Sequence, residues 1–328
     1  MKEVKGFCKP YGLIALIFLC LFSAAAIAAD FPSKPVTIVV GYSAGGSTDL
    51  QARIIASSAP EFLGQPVVVT CKPGGGGAVA TAWITRQRLD GYLVLMVATP
   101  ALVIKPHMTK LPYKLGDVIP IMRVGFSPRI VSVAIKHPFK NIHDLMEYAK
   151  KNPGALKFGS PGAGTGTHIE METFCHLAGI KLTHVPFKGG AKSGAAAAGG
   201  HIDIHPATAG ETLALAQAGK IRPIVVFSDK RLKELPDVPT LKEETGIDFA
   251  AGYESALWVA KGTPEDRIQI LHEAFRKTLE CKSAKKLFER IGDRIAYMSG
   301  KDLEPILVKK SEYYKKVLET IGLKKSGK

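Results

Sequence analysis

Seven short apolar runs along the chain predict buried β-strands, because each run is continuous and rich in β-branched residues. Such runs are typical of parallel strands that are covered on both faces, whereas half-exposed strands alternate apolar and polar positions. The runs cover residues 36–40, 66–69, 92–98, 130–135, 182–185, 221–227 and 256–260.

Amphipathic segments between these runs predict helices over residues 47–62, 141–150, 264–279 and 302–321. Each segment repeats its apolar residues at the spacing of one helical face. A capping residue or a proline stands at the start of several of them. Alternating strands and helices predict an α/β fold with crossover connections.

The length of the chain and two hinge-like stretches predict two lobes. About 300 residues remain behind a presequence, which suits two domains. Ser127-Pro128 and residues 250–255 divide the chain into lobe 1 (29–127 plus 254–328) and lobe 2 (128–253). We expect each lobe to be a mostly parallel sheet flanked by helices, with a ligand cleft between the lobes at the carboxyl ends of the strands.

Residues 1–28 have the features of a secretory signal peptide. Lysines at the start precede an apolar stretch over residues 13–22, and Ala26-Ile27-Ala28 fits the small-residue cleavage rule. We predict export to the periplasm with cleavage near Ala28 or Ala29; an uncleaved N-terminal anchor is the alternative. The cysteines beyond this segment, Cys71, Cys175 and Cys281, predict either one bridge or three free thiols.

The formal net charge of +15 adds little to the functional picture. The presequence carries three lysines and one glutamate, so +13 stays on the rest of the chain. Its lysines are scattered and are not interleaved with aromatic residues, as they usually are in proteins that bind nucleic acid. We therefore interpret them as solvated surface and predict no nucleic-acid partner.

The sequence VTIVVGYSAGGSTD, residues 36–49, predicts a strand that leads through a glycine turn directly into a helix. The first N–H groups of a helix lack intrahelical partners and lie at the positive end of its dipole. Gly45 and Gly46 allow close approach to the backbone, and Ser43, Ser47 and Thr48 add hydroxyl groups. This pattern predicts an uncharged carboxylate or phosphate site; an ordinary strand-to-helix turn is the alternative.

A second glycine loop, GSPGAGTGTH at residues 159–168, has the same arrangement between a strand at 156–158 and a helix at 167–177. It lacks the Gly-Lys-Ser/Thr of a phosphate-binding P-loop and the third glycine of a dinucleotide fingerprint. We predict that the two glycine loops face each other across the cleft and hold the two ends of one anion. Basic side chains would then not be needed in either loop.

Gly41-Tyr42-Ser43-Ala44-Gly45 also matches the G-x-S-x-G nucleophile elbow, so a secreted α/β serine hydrolase that uses Ser43 is the alternative function. Against it, only about a dozen mature residues precede Ser43, too few to supply the oxyanion loop that this fold requires.

Two groups of side chains have spacings that would suit a metal ion: His168, Glu172 and His176, and His201, Asp203 and His205. We interpret the first group as the polar face of a helix, and we assign Asp203 to orienting a ligand donor or a water. We predict no metal and no cofactor.

Several segments in a fixed order resemble the Bug-type receptors, the TctC-like substrate-binding proteins of tripartite tricarboxylate transporters. They run from Phe31 to near Ile321 and include FPSKPVTIVVGYSAGGSTD, LGQPVVVTCKPGGGGA, DGYLVLMVATPA, FGSPGAGTGTHIEMETF, AGIKLTHVPFKGGA, GGHIDI and ELPDVPTLKEETG. The resemblance implies a type II-like periplasmic-binding-protein fold whose two lobes are joined by a two-crossing hinge. It also implies a monomeric, non-enzymatic receptor that delivers a small carboxylate to a membrane permease.

The resemblance further implies a pocket built from residues 42–48 and 162–168, together with a post-strand threonine and a strand-end aspartate. The predicted ligand-binding residues are Tyr42, Ser43, Gly45, Gly46, Ser47, Thr99, Gly164, Thr165, Gly166, Thr167, His168 and Asp203. Dicarboxylates, tricarboxylates, aromatic acids and amino acids all stay open as ligands.

Overall fold

The computed structural model describes residues 31–324, and the predicted signal peptide lies outside the described residues. The strands are β1 (Val36–Val40), β2 (Val67–Cys71), β3 (Leu93–Ala98), β4 (Val118–Ala134), β5 (Lys157–Ser160), β6 (Thr183–Pro186), β7 (Ile204–Ala207), β8 (Ile221–Phe227), β9 (Gly252–Ala260) and β10 (Ile295–Ser299).

The α-helices lie between these strands along the chain, and the longest of them follows the last strand. They are α1 (Ser47–Ser58), α2 (Pro60–Leu63), α3 (Ala78–Ile84), α4 (Pro100–Val103), α5 (Lys105–Met108), α6 (Ile142–Lys151), α7 (Gly166–Ala178), α8 (Gly190–Ala198), α9 (Ala209–Gln217), α10 (Leu241–Thr245), α11 (Glu265–Glu280), α12 (Lys282–Arg290) and α13 (Gly300–Thr320). Short 3₁₀ turns cover Gly75–Gly77 and Leu115–Asp117. No helix among residues 31–324 is long and apolar enough to cross a membrane.

The long strand β4 joins two sheets, one in each lobe. In lobe 1 the strand order is β2-β1-β3-β9-β4-β10, and in lobe 2 it is β8-β4-β7-β5-β6. Strand β9 pairs with β4 as far as Gly252 opposite Pro128, and β8 pairs with β4 from Arg129 onward. The predicted α/β fold with two lobes is thus present; the lobe boundaries at 127/128 and 253/254 stay predictions.

The prediction of mostly parallel sheets is wrong for about half of the strand pairs. Pairs β1–β2, β1–β3, β5–β6 and β5–β7 are parallel. The pairs made by β4 and β9 are antiparallel, because the chain leaves lobe 1 along β4 and returns beside it along β9. A continuous apolar run indicates burial on both faces and carries no information on strand direction.

Each lobe has its own apolar core. Trp258, Leu95 and Phe275 are fully buried in lobe 1, and Phe158 and Phe174 are fully buried in lobe 2. Burying a side chain of this size contributes about 1.5–3 kcal/mol. Each core therefore stabilises its own lobe.

Local signals explain several helix ends. The Asn141 side chain accepts a hydrogen bond from the Asp144 amide and begins α6, and Ser299 does the same for α13 through Asp302. The predicted helix over 47–62 is instead two helices, α1 and α2. Pro60 has no N–H to continue the α1 ladder, so the helix ends before it.

Candidate functional site

A small cavity of about 40 Å³ lies between the lobes at the carboxyl ends of β1, β3, β5 and β7. Helices α1, α7, α8 and α9 all begin at its wall, and β4 and β9 cross behind it. At about 10–15 Å³ for each water, this volume holds roughly three waters in the observed arrangement of the lobes. We therefore compared the lining of this cavity with the predicted anion site.

The first glycine loop forms one wall of the cavity through Tyr42, Gly46, Ser47 and Thr48. The Ser47 hydroxyl lies 2.5 Å from the Thr208 hydroxyl of the other lobe. The Thr48 hydroxyl lies 2.7 Å from the phenol oxygen of Tyr253. These contacts connect the start of α1 to Thr208 of lobe 2 and to Tyr253 on the crossing strand β9, so the loop forms part of the seam between the lobes.

The second glycine loop forms the opposite wall through Thr165, Gly166 and Thr167. Within it, the Thr165 hydroxyl donates to the Gly162 carbonyl oxygen at 2.7 Å. A Cβ on Gly166 would lie 3.0 Å from the Pro100 ring, so only glycine fits here without movement of its neighbours. The two loops therefore face each other across one cavity, as the sequence predicted.

Four predicted residues of these loops do not line the cavity: Ser43, Gly45, Gly164 and His168. Ser43 donates its amide to the Lys188 carbonyl oxygen at 3.2 Å, and its buried hydroxyl has no hydrogen-bond partner among the described residues. The amide of Gly45 donates to Asp49 at 2.9 Å, and the amide of Gly164 donates to the His168 ring at 3.1 Å. These three amides already donate hydrogen bonds to other groups of the protein, within the loops or across the seam. A local sequence pattern does not show this.

The predicted roles of His168, Asp203 and Thr99 need correction as well. The His168 ring stacks on His184, with centroids 3.8 Å apart, and burial lowers its pKa to about 3. Asp203 stands before β7, at the end away from the cavity, where it accepts hydrogen bonds from His137 and the Lys157 amide. Thr99 is buried and lines a neighbouring cavity of about 280 Å³.

Charged side chains that the sequence analysis missed also line the cavity. Arg129 on β4 is 3% exposed, and its Nε donates to Glu170 at 2.8 Å. Glu211 in the first turn of α9 accepts a hydrogen bond from the Ser47 amide at 3.1 Å. Glu254 on β9 pairs with Lys310 at 2.6 Å. The cavity is therefore not built from uncharged groups alone.

For only one of these charged residues did the sequence contain a pattern that predicts a place at the cavity. Thr208-Ala209-Gly210-Glu211 follows β7 and begins α9, which repeats the strand, small-residue turn and helix pattern of the two glycine loops. Burial raises the pKa of the Glu211 carboxyl group. Arg129 and Glu254 stand alone beside predicted strands and gave no comparable signal.

The side chains considered for a metal ion do not converge. His168 Nε2 lies 3.7 Å from Glu172, and His176 is exposed on the same helix. His205 is buried, with Nδ1 3.3 Å from the Ser193 hydroxyl. Residues 31–324 contain no group of three such side chains arranged to hold a metal, and their cysteines, Cys71, Cys175 and Cys281, are all unbridged.

Comparisons with known proteins extend this picture. The family model described as "Tripartite tricarboxylate transporter family receptor", TctC, matches residues 51–323. The UPF0065 protein in the gbd 5' region of Cupriavidus necator is 34% identical over 315 residues, or 95% of each chain. Protein BugT of Bordetella pertussis is 29% identical and covers 82% of this chain and 84% of its own length.

Solved structures have the same fold. The periplasmic binding protein BugD aligns with a TM-score of 0.85 at 28% identity and covers 90% of this chain and 100% of its own. An R. palustris protein solved with adipate aligns with a TM-score of 0.85 at 27% identity, over 89% of this chain and 99% of its own. The chain therefore belongs to the tripartite tricarboxylate transporter receptor family, TctC, and is a solute-binding receptor with the fold of the periplasmic binding proteins.

Proposed function

We propose that this receptor works in the periplasm, closes its two lobes around a small organic carboxylate and delivers it to the membrane permease of a tripartite transporter. The observation that carries this proposal is the cavity between the lobes, at which α1 begins on one side and α7 on the other. The amino ends of helices favour anions through their N–H groups and dipoles. The relative solved with adipate supports a carboxylate as the ligand.

Contacts across the seam support a mechanism in which the lobes close on the ligand. The Ser43 amide reaches the Lys188 carbonyl oxygen, and the Lys105 ammonium donates to the Ala163 carbonyl oxygen. These contacts exist only when the loops of the two lobes meet. A ligand that touches both walls adds its own contacts to this arrangement and therefore shifts the population toward the closed form. The permease would then recognise the closed pair of lobes.

Calorimetry on protein freed of bound solute by unfolding and refolding tests this proposal. We expect adipate or another small carboxylate to bind and to make the scattering profile more compact. Thr167→Val removes a hydroxyl group from the cavity wall and should weaken binding about two- to tenfold. Thr173→Val, in the same helix but off this wall, should leave the affinity unchanged. No binding by any carboxylate at millimolar concentration would contradict the proposal.

A further inference from the structure

The two lobes meet closely at the cavity, and groups of the chain contact one another across it. The cavity volume of about 40 Å³ suits roughly three waters and is too small for a dicarboxylate such as adipate. The hydroxyl groups of Ser47 and Thr208 form one of the contacts between the lobes. The observed closed arrangement is therefore stabilised by the chain's own groups, and a solute has to replace some of them when it binds.

Glu211 of lobe 2 reaches the start of helix α1 in lobe 1. Its Oε1 atom accepts a hydrogen bond from the Ser47 amide at 3.1 Å, and this amide is the first of α1. The N–H groups at this end of a helix have no partner within the helix and lie at the positive end of its dipole, so they favour an anion. A carboxylate of the chain therefore occupies the donor that the sequence predicted for a carboxylate of the ligand.

Two glycines leave the space in which this carboxylate lies. A Cβ on Gly190, the first residue of α8, would collide with the carboxyl carbon and both carboxyl oxygens of Glu211. A Cβ on Gly46 would lie 3.2 Å from Glu211 Oε1. Neither glycine has a positive φ, so the space and not the backbone conformation favours glycine at these positions. The backbones of the two lobes thus enclose a space of the size of a carboxylate beside the Ser47 amide.

The carboxylate at the opposite wall does not connect the lobes. Glu170 belongs to α7, and a Cβ on Gly166 at the start of that helix would lie 3.1 Å from Glu170 Oε1. Glu170 Oε2 accepts a hydrogen bond from Arg129 at 2.8 Å. These residues all belong to lobe 2, so their contacts persist when the lobes separate. The hydrogen bond between Glu211 and Ser47 joins the lobes and has to break when they separate.

We propose that Glu211 is an internal competitor of the solute: its carboxylate holds the solute-free lobes together at the start of α1, and a carboxylate of the solute displaces it. This inference rests on the proposed receptor function and adds a residue that determines affinity. The form closed by Glu211 reduces the fraction of solute-free receptor that is open to binding, and the apparent affinity falls by the same factor. Only a solute that binds the Ser47 amide better than Glu211 does overcomes this competition.

X-ray scattering and calorimetry on the refolded, solute-free protein test the inference, with adipate, succinate, malate and citrate as the titrated acids. Glu211→Ala removes the internal carboxylate. We expect this variant without solute to have a larger radius of gyration than the wild type without solute, because a contact between the lobes is lost. We also expect it to bind the preferred acid about tenfold more tightly, since the acid no longer has to displace a hydrogen bond to a charged group.

Two further variants separate competition from a structural role of Glu211 in α9. Glu211→Gln keeps an acceptor for the Ser47 amide but has no charge, so its affinity and its radius of gyration should lie between those of the wild type and of Glu211→Ala. Glu147→Gln changes an exposed glutamate of α6 and should alter neither quantity. A contact that only stabilised α9 would lower the stability of the protein when removed and would not increase its affinity for an acid.

The outcomes distinguish this inference from the proposed function. If an acid binds the wild type and Glu211→Ala binds it equally or more weakly, the inference is wrong and the receptor function stands. The same holds if the two solute-free proteins have the same radius of gyration. If no acid binds to either protein, the proposed function and the displacement of Glu211 are both contradicted.

Discussion

Glycine residues at the seam determine how closely the two lobes approach. Gly189 packs against Ser43 of the other lobe, and a Cβ at this position would lie 2.1 Å from the Ser43 hydroxyl and 3.0 Å from its amide nitrogen. Gly76 meets Thr165 in the same way, at 2.8 Å. The absence of side chains at these two positions allows backbone-to-backbone contact between loops of different lobes.

Replacing Gly189 by alanine should therefore hold the lobes apart. The methyl group would collide with backbone as well as with the Ser43 side chain, so Gly189→Ala should increase the radius of gyration and weaken carboxylate binding. Gly179→Ala is the matched control, since Gly179 also has positive φ but a Cβ there would meet no neighbour within 4 Å. That control should cost about 1 kcal/mol of stability and leave the scattering profile unchanged. Identical profiles for both variants would refute this role of Gly189.

At the scale of elements, an ion pair joins the crossing strand β4 to helix α7. Arg129 and Glu170 are 3% and 5% exposed, and their bond lies next to the cavity. Strand β4 also pairs with β7, β8, β9 and β10, so it connects the sheets of both lobes. A charge pair at this place fixes where α7 begins relative to the strand.

Replacing one residue of this pair should destabilise the protein more than replacing both. Arg129→Met leaves the Glu170 carboxylate buried without its cation, which should cost about 3 kcal/mol in urea unfolding. The double variant Arg129→Met, Glu170→Met should recover most of that loss. For comparison, Arg276→Met breaks an exposed pair with Glu280 on α11 and should cost less than about 1 kcal/mol. A double variant no more stable than Arg129→Met would contradict the expected coupling.

For the whole molecule, buried histidines make stability depend on pH. Burial lowers the pKa of His168 to about 3 and the pKa values of His184 and His205 to about 4. All three belong to lobe 2, whereas an unfolded histidine titrates near pH 6.5. The unfolded chain therefore binds more protons than the folded chain between these values. Stability is fully present above about pH 6.5 and is lost as the pH falls toward 4.

Replacing one of these histidines should weaken the dependence of stability on pH. His205→Leu eliminates a titrating group and should reduce the loss of stability between pH 7 and pH 4.5 by about 2 kcal/mol. The measurement is urea unfolding at both pH values, so that any packing effect of the substitution cancels in the difference. Thr173→Val, on the same helix as His168, changes no titratable group and should retain the original pH dependence. An unchanged difference for His205→Leu would refute the assignment.

The sequence alone was sufficient for the features that local chemistry controls. Continuous apolar runs predicted buried strands, which is right for β1, β3, β8 and β9 but wrong for the edge strands β2 and β6, none of whose residues is buried. The glycines of residues 41–46 and 159–166 predicted two turns that lead into helices. These features depend on backbone freedom and burial within a few residues of each position. The meeting of the two loops at one cleft was also predicted, because a ligand cleft between two α/β lobes lies at the carboxyl ends of the strands of both.

Tertiary structure decided which side chains share the cavity and which are used elsewhere. Ser47 and Glu211 are 164 positions apart, and Arg129 and Glu170 are 41 apart, so no local pattern could connect them. Asp203 looked like a cavity residue until the direction of β7 placed it at the other end of the strand. The direction of each strand depends on which distant segments pair with it, and no local pattern shows those partners. The charged side chains of the cavity could therefore be identified only in the tertiary structure.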